Sequence, residues 1–413
     1  MEKRKPKILL FTDTKQLGGA ENHMLSIFKF YDRQGYELQL ACPSDPALDT
    51  WCKKIKDMTV TVHRLKNRHK HHPGQYFELK KLIQKEGISL IHIHVWNPAS
   101  GRYGFMAAKS AGIPYMFTEH DPFQLSSVKD WLKKKLIKDA SQVIAISEKN
   151  KQLLSQLYPF LKSKIVMIHN GIDTTWFESQ LLSFSLTDRE EFRKDEFTTD
   201  GETPIATCIA ELHPRKGIIY LLEAAKLFKE EGGNIKFIIV GNGDEKKHYE
   251  DFIKKHELED YVKLLGRRHD IPQILKSSDV FVLPSLNEAF GLVLLEAMMA
   301  KLPIVATNNG GIPEIVKDRE NGMLVPTKNP KAIKKAIEKI LASKELRKKM
   351  SEKSYENVRE LYEVKDMVKK TEAVYRNLLK IGNSEPSTYV KVASMKIQNG
   401  SDVAQSVSHG KVL

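Results

Sequence analysis

Pro284-Ser-Leu-Asn-Glu288-Ala-Phe-Gly291-Leu-Val-Leu-Leu-Glu296-Ala-Met298 reads as a junction between two kinds of secondary structure. The run before it, Val280-Phe-Val-Leu283, is short, apolar and β-branched, as a buried strand is. Beyond Glu288 the apolar residues continue past a strand's length, and the spacing predicts a helix beginning near Phe290. Backbone amides of Phe290, Gly291 and Leu292 at the head of such a helix have no intrahelical acceptor, which suits a phosphate. Gly291 lets a ligand come close to the backbone. Glu288 precedes the helix, within reach of a group held beside that phosphate, and Glu296 lies one turn beyond Leu292 on nearly the same face. The plain alternative is a buried helix with an acid in its first turn. Glu296, between Leu295 and Ala297, fits that alternative poorly, because a buried carboxylate needs a partner.

Outward from this junction, strand and helix alternate along the chain. Before residue 174, apolar runs at 7–12, 37–41, 60–63, 89–94, 115–118, 142–146 and 165–168 are mostly separated by helical patterns. After residue 204, runs follow at 205–210, 236–240, 261–265, 280–283, 304–306 and 323–325. Two such series predict an α/β protein of two Rossmann-like, doubly wound domains, with the carboxyl strand ends lining one cleft. The expected organisation is a first domain over 1–180, a polar connection over 181–203 carrying a short helix, and a second domain over 204–363. Two helices, over 330–341 and about 364–380, close the ordered part, the latter packing back on the first domain. The serine-rich stretch 381–413 is expected to be a disordered tail.

Apolar residues make up 41% and charged residues 29%, a soluble globular mix. No apolar run approaches the ~20 residues of a membrane-spanning helix, and the one near the N-terminus is too short for a signal-peptide core. Cys42, Cys52 and Cys208 have no metal-ligand spacing and suggest no disulfide framework, which fits a reducing cytoplasm. Of the net charge of +14, nearly all lies in residues 1–180, which hold 28 Lys+Arg against 17 Asp+Glu. That asymmetry points to an anionic partner of the first half (membrane surface, anionic glycan or nucleic acid), with plain solubility as the alternative. The densest basic stretches are 63–72 and 129–138. In the second, Trp131, Leu132 and Lys135 share a helical neighbourhood, as on a peripheral membrane face.

The stretch from Glu288 to Glu296 resembles the Glu-x7-Glu motif of retaining GT-B glycosyltransferases, specifically glycosyltransferase family 4, and the likeness runs over about residues 5–380. It implies that Glu288 contacts donor-sugar hydroxyls and Glu296 the nucleotide ribose. Ala210-Glu-Leu-His-Pro-Arg-Lys216-Gly217 is similar to the family's Gly-Arg-Leu-x3-Lys-Gly, whose Arg and Lys grip the diphosphate. Lys216 and Gly217 match, but Glu211 stands where the Arg is usual. A carboxylate ~4 Å from a phosphate charge costs about 1 kcal/mol in water and ~4 at an effective dielectric of 20. Glu211 must therefore point away or be held by a cation, and Arg215 is the candidate replacement for the missing Arg. Thr14-Lys-Gln-Leu-Gly18-Gly19-Ala20-Glu21 is similar to the family's first glycine loop, which closes over donor and acceptor. Phe117-Thr-Glu119-His120 matches its Thr-x-His pattern and gives His120 a place at the donor sugar; Ile91-His92-Ile-His94 is also family-like. The turns Val240-Gly241-Asn-Gly243 and Leu265-Gly266-Arg267 put Gly241 and Arg267 near the base and diphosphate, and Gly310-Gly-Ile-Pro-Glu314 resembles the loop beside the donor.

What the resemblance implies is a cytoplasmic transferase, peripheral on the inner face of the membrane, that moves a hexose from a nucleotide diphosphate sugar to a glycan or lipid-linked acceptor. No Asp-x-Asp occurs, so Lys216, loop amides and a helix N-terminus would neutralise the departing diphosphate. Neither a metal nor a cofactor is expected, and no nucleic acid partner. The alternatives are a nucleotide-sugar epimerase or a phosphorylase of the same fold, and a nonenzymatic sugar-binding protein. A nicotinamide-dependent oxidoreductase is disfavoured, because Gly241-Asn-Gly243 lacks the third glycine of the dinucleotide fingerprint.

Overall fold

The computed structural model describes residues 5–66, 72–199 and 202–381. They form two compact units. One comprises residues up to Ile146, Lys151–Ile168 and the chain from Met367; the other comprises Ser147–Asn150 and His169–Asp366.

In the first unit the strands are β1 (Lys7–Phe11), β2 (Glu37–Pro43), β3 (Thr61–Leu65), β4 (Ile88–Val95), β5 (Tyr115–Glu119), β6 (Gln142–Ala145) and β7 (Ile165–Met167). All pair in parallel, in the order β3-β2-β1-β4-β5-β6-β7. Helices cover the sheet, so the strands are apolar rather than alternating: Ile8, Leu9, Leu10 and Phe11 are all fully buried. The strand order reverses between β1 and β4, and in open α/β sheets ligands bind outside the carboxyl ends at such a switch point. The loops after β1 and β4 border it here. The final helix, Val364–Leu379, contributes Tyr375 and Glu372 to this unit, where the Tyr36 hydroxyl donates to Glu372 Oε1 at 2.5 Å.

The second unit repeats the plan with β8 (Ile205–Ile209), β9 (Lys236–Val240), β10 (Val262–Gly266), β11 (Val280–Leu283), β12 (Ile304–Thr307) and β13 (Gly322–Val325). They too are all parallel, in the order β10-β9-β8-β11-β12-β13. Its switch point lies between β8 and β11, so the loops carrying Lys216 and Glu288 flank it.

All thirteen runs expected as strands are strands. Three expectations change. The stretch 181–203 is not a loose connection, because the helices Thr174–Leu182 and Leu186–Phe197 belong to the second unit. Phe197 is fully buried against Ile205, Ile238 and Ile274, and Arg193, one turn earlier on the same face, pairs with Asp279 at 3.0 Å. An 18-residue helix, Lys344–Leu361, stands where none was expected. Its charge-rich sequence buries only Met350, Ser354 and Val358, an i, i+4 stripe too thin to register as periodicity. The helix expected near Phe290 begins at Leu292, with Gly291 as its N-cap. Residues 67–71 of the basic stretch and 382–413 of the expected tail lie outside the described residues.

Candidate active site

At the second unit's switch point the chain leaves β8, crosses a short turn over Pro214–Lys216, and enters the helix Ile218–Glu230. This turn aims Lys216 at the loop after β11, where its Nζ lies 2.6 Å from Glu288 Oε2. Ser285 Oγ donates to the same oxygen at 3.2 Å. Both partners are largely out of water, with side-chain exposures of 13% and 10%. The two loops are joined by backbone as well, since Leu286 N–H donates to Arg215 O at 2.8 Å.

The far side of Glu288 is fixed by the loop after β12. Gly311 N–H donates to Glu288 O at 2.8 Å. Gly310 has φ +59°, and a Cβ there would meet Glu288 O at 2.0 Å, so only glycine lets this loop close on the glutamate. Glu288 is thus held from three directions before any ligand arrives. Gly291, at φ +95°, turns the chain into the helix Leu292–Met299. Among the described residues the amides of Phe290, Gly291 and Leu292 donate to nothing, as the sequence predicts for a helix head.

Glu296 follows one turn on. No hydrogen bond or ion pair reaches its carboxylate among the described residues, and burial alone pushes its pKa up to about 7. Glu211 is held as expected: Arg215 Nη2 lies 3.2 Å from its Oε2. Gly241 and Arg267 end β9 and β10, one and two strands from β8. A Cβ at Gly241 would stand 1.9 Å from Ala210 O, so packing of one loop on the next already accounts for that glycine. Arg267 is exposed and free of ion pairs among the described residues.

In the first unit the residues after β1 and β5 meet a cluster of histidines. Gly18 N–H donates to Glu21 Oε2 at 2.9 Å, capping the helix Gly19–Phe30. The other oxygen of Glu21 is buried and has no partner among the described residues. Burial raises its pKa to about 7. A Cβ at Gly18 would meet only Glu21 Oε2, at an ordinary 3.6 Å. His92 and His94 point to one face of β4, two residues apart. The His92 ring lies between the Tyr375 hydroxyl (2.6 Å from Nδ1) and the Thr118 hydroxyl (2.8 Å from Nε2). His94 Nδ1 lies 3.2 Å from His120 Nε2, and the His23 ring stands edge-on to His120 at 5.2 Å. Burial, then neighbouring histidines, holds His92, His94 and His120 well below the usual imidazole pKa, so all three are neutral. The other nitrogen of His94, Nε2, has no partner among the described residues. In this contact one ring donates and the other accepts, so the tautomers of His94 and His120 are set together.

Sequence reading passed over several of these groups. Glu21 stands inside the quoted glycine loop without a role, and its place three residues after Gly18 was the capping signal. His23 and Tyr375 gave no signal, because only the fold brings them beside the β4 histidines. Lys133 was grouped with the basic face of the helix Ser127–Ile137. It points inward instead, 2.5 Å from the fully buried Glu119.

Comparison with known proteins adds a lineage to this geometry. Residues 188–357 match the family model described as Glycosyl transferases group 1, and residues 17–176 the model described as Glycosyltransferase Family 4. An uncharacterised glycosyltransferase of Methanocaldococcus jannaschii is 29% identical, over 67% of this chain and 72% of its own. The UDP-Gal:alpha-D-GlcNAc-diphosphoundecaprenol alpha-1,3-galactosyltransferase of Escherichia coli is 29% identical, over 75% of this chain and 81% of its own. Among solved structures, Anabaena HepE in complex with UDP-glucose matches with a TM-score of 0.78 at 21% identity, covering 90% of this chain and 99% of that one. That last likeness is one of fold.

Proposed function

From the premise that this chain belongs to glycosyltransferase family 4, has the GT-B fold and is a transferase acting on sugars, we propose that it moves a hexose from a nucleotide diphosphate sugar to a glycan or lipid-linked acceptor, with retention and without a metal. The observation that carries this reading is the Lys216–Glu288 pair at the β8/β11 switch point, beside the unengaged amides of Phe290–Leu292.

Breaking the anomeric carbon–phosphate bond leaves an oxocarbenium-like sugar and a diphosphate with added charge. An ammonium has three donors, so Lys216 can keep Glu288 and still donate to a phosphate oxygen. The helix-head amides supply further fixed donors, aimed before the charge develops. Glu288 Oε2 already accepts from Lys216 and Ser285, so Oε1 is the oxygen that takes a donor-sugar hydroxyl. A carboxylate committed to two donors is a weak nucleophile, which favours same-face attack by the acceptor over a covalent sugar–enzyme intermediate. Glu296, unpartnered on this helix among the described residues, is the acceptor for the ribose hydroxyls. His120, neutral, donates to the donor sugar. Gly18 has no packing reason to be glycine, which supports close approach of a ligand to that loop.

The acceptor side of the reading rests on the first unit. Met106 and Leu132, with Tyr76, Lys109 and Lys135, line a shallow cavity of about 640 Å³ between neighbouring helices. Val128 and Trp131, on the helix that supplies Leu132, are 79% and 57% exposed. Lysines over exposed aromatic and aliphatic groups suit an anionic lipid surface, and Lys135 Nζ sits 3.9 Å over the Trp131 ring. No helix among the described residues is long and apolar enough to cross a membrane.

The deciding experiment incubates the protein with UDP-, GDP- and ADP-sugars, with and without lipid-linked acceptors, in chelator. Nucleotide release is scored, and the product anomer is read by NMR. Release from one donor class with the anomer retained is expected. Strict dependence on added metal, inversion, or unchanged turnover in Glu288→Ala would each overturn the corresponding part. Vesicles test the surface separately: cosedimentation with anionic but not zwitterionic lipid is expected, lost in Trp131→Ala, and indifference to lipid charge refutes it.

A further inference from the structure

Cys42 is the penultimate residue of β2 and Cys52 the fourth of the helix Asp49–Asp57, and the fold brings their sulfurs to 3.5 Å. Both side chains are buried. Arg64 stands opposite Cys42 on β3. It is fixed across the corner, Nε donating to Pro43 O at 3.2 Å and Nη2 to Asp45 O at 2.7 Å, with Nη1 paired to Asp49 at 2.9 Å. So anchored, its positive charge bears on the Cys52 sulfur. A cation and the head of a helix both favour a thiolate. The contact with Cys42, and then the Arg64 charge, hold the Cys52 thiol below its usual value, while Cys42 is pushed up. Cys208 is the internal contrast: it is buried, and its thiol is pushed up to about 12.

We propose that Cys42 and Cys52 form an oxidisable dithiol, in which Cys52 meets a hydroperoxide and Cys42 resolves the product into a disulfide. The Cys52 thiolate attacks the terminal peroxide oxygen and the O–O bond breaks. Sulfur loses two electrons to become a sulfenic acid, and the departing alkoxide or hydroxide takes the proton given up by Cys52. The Cys42 sulfur then attacks the Cys52 sulfur. An S–S bond forms, and hydroxide leaves with the Cys42 proton as water. In sum, one hydroperoxide and two thiols give one disulfide, one alcohol (or water) and one water.

A bond of about 2.05 Å in place of the present contact draws the helix Asp49–Asp57 onto the end of β2. Trp51, beside Cys52, donates from Nε1 to Glu21 O at 3.2 Å. The pull therefore reaches the helix turn that carries Glu21 and His23, and the oxidised and reduced forms differ next to the first glycine loop.

The test treats the reduced full-length protein with hydrogen peroxide while near-UV circular dichroism reports that it stays folded. Intact-mass measurement should show the loss of two hydrogens, reversed by dithiothreitol, and peptide mapping should join Cys42 to Cys52. Cys42→Ser should leave a Cys52 sulfenic acid trapped by dimedone, Cys52→Ser should leave Cys42 unreacted, and Cys208→Ser should behave as the parent. The reaction should quicken with rising pH, and do so below the range in which an ordinary thiol ionises. Failure of the folded parent to lose two hydrogens, preferential reaction at Cys208, or an intermolecular disulfide would each overturn the proposal. The mass measurement on the parent decides it even if a serine variant folds poorly.

Discussion

Replacing Lys216 with methionine separates what the Lys216–Glu288 pair does for folding from what it does for transfer. At 2.6 Å, opposite unit charges attract by about 6 kcal/mol at an effective dielectric of ~20. Removing both ions from water takes back several kcal/mol, so the net worth of the intact pair is small. Breaking it is another matter, because a buried charge left without its partner costs about 3–5 kcal/mol. Ser285 still donates to Glu288 Oε2, which puts the expected loss for Lys216→Met near the lower end, about 3 kcal/mol by urea unfolding. Glu288→Gln strands the ammonium instead and loses a comparable amount. The double variant strands neither charge and should recover to within about 1 kcal/mol of the parent, a double-mutant coupling of several kcal/mol. Turnover should not recover with it. Loss of a preorganised donor to the departing charge costs about 10²-fold or more, and the double variant lacks both the cationic donor and the carboxylate. If Lys216→Met unfolds within about 1 kcal/mol of the parent, or the double variant regains nucleotide release, the reasoning fails.

Glu296 should give the second unit a pH-dependent weakness. Its folded-state pKa of about 7 lies above the ordinary 4.5, so the folded form holds its proton more tightly. The resulting penalty is absent below about pH 4.5, grows as pH rises to 7, and reaches at most roughly 3 kcal/mol above that. Glu296→Gln should remove this loss, seen as a flatter pH profile of urea midpoints, while weakening nucleotide binding in calorimetry. Gly310→Ala must leave φ +59° and displace the Glu288 carbonyl that its Cβ would meet at 2.0 Å. It should lower stability by roughly 2 kcal/mol or more and abolish turnover, both measurable on purified protein. His94→Asn can set an amide where His94 Nδ1 stood and should keep most activity. His94→Leu should lose kcat rather than KM, and ¹⁵N NMR should show the His120 tautomer balance changing once its ring partner is gone.

The topology was legible because each β-run is short, apolar and separated by helical spacing, and that pattern survives without tertiary context. Glu288, Gly291 and Lys216 were singled out because they stand in strand-end loops that match the Glu-x7-Glu and Lys-Gly patterns, and the structure brings Lys216 to Glu288. The rest depended on closure. Nothing near Gly310 in sequence says that its backbone must pass Glu288, and nothing near Tyr375 says that it will meet His92, 283 residues away. The missed helix Lys344–Leu361 shows the same limit from the other side. Its stability comes from good helix formers and i, i+4 pairs such as Lys348–Glu352, which leave no apolar stripe to read.

Glu211 is the one residue that argues against a diphosphate at this place, and its environment answers the argument. Arg215 holds it in a pair whose side chains are 35% and 48% exposed. Pairs so exposed contribute about 0–1 kcal/mol. A charge-assisted hydrogen bond to a phosphate is worth about 1.5–3 kcal/mol, more than the pair gives up. The Glu211 pair is therefore too weak by itself to keep Arg215 from a phosphate oxygen, and Glu211, half-exposed, can turn its charge to water. What the departure removes is a second fixed cation, so the proposed diphosphate site would rely more heavily on Lys216 and the helix-head amides than a site with arginine at that position would. The same conclusion follows from the other direction: Lys216 is the cation whose orientation the fold secures, through Glu288, before the donor binds.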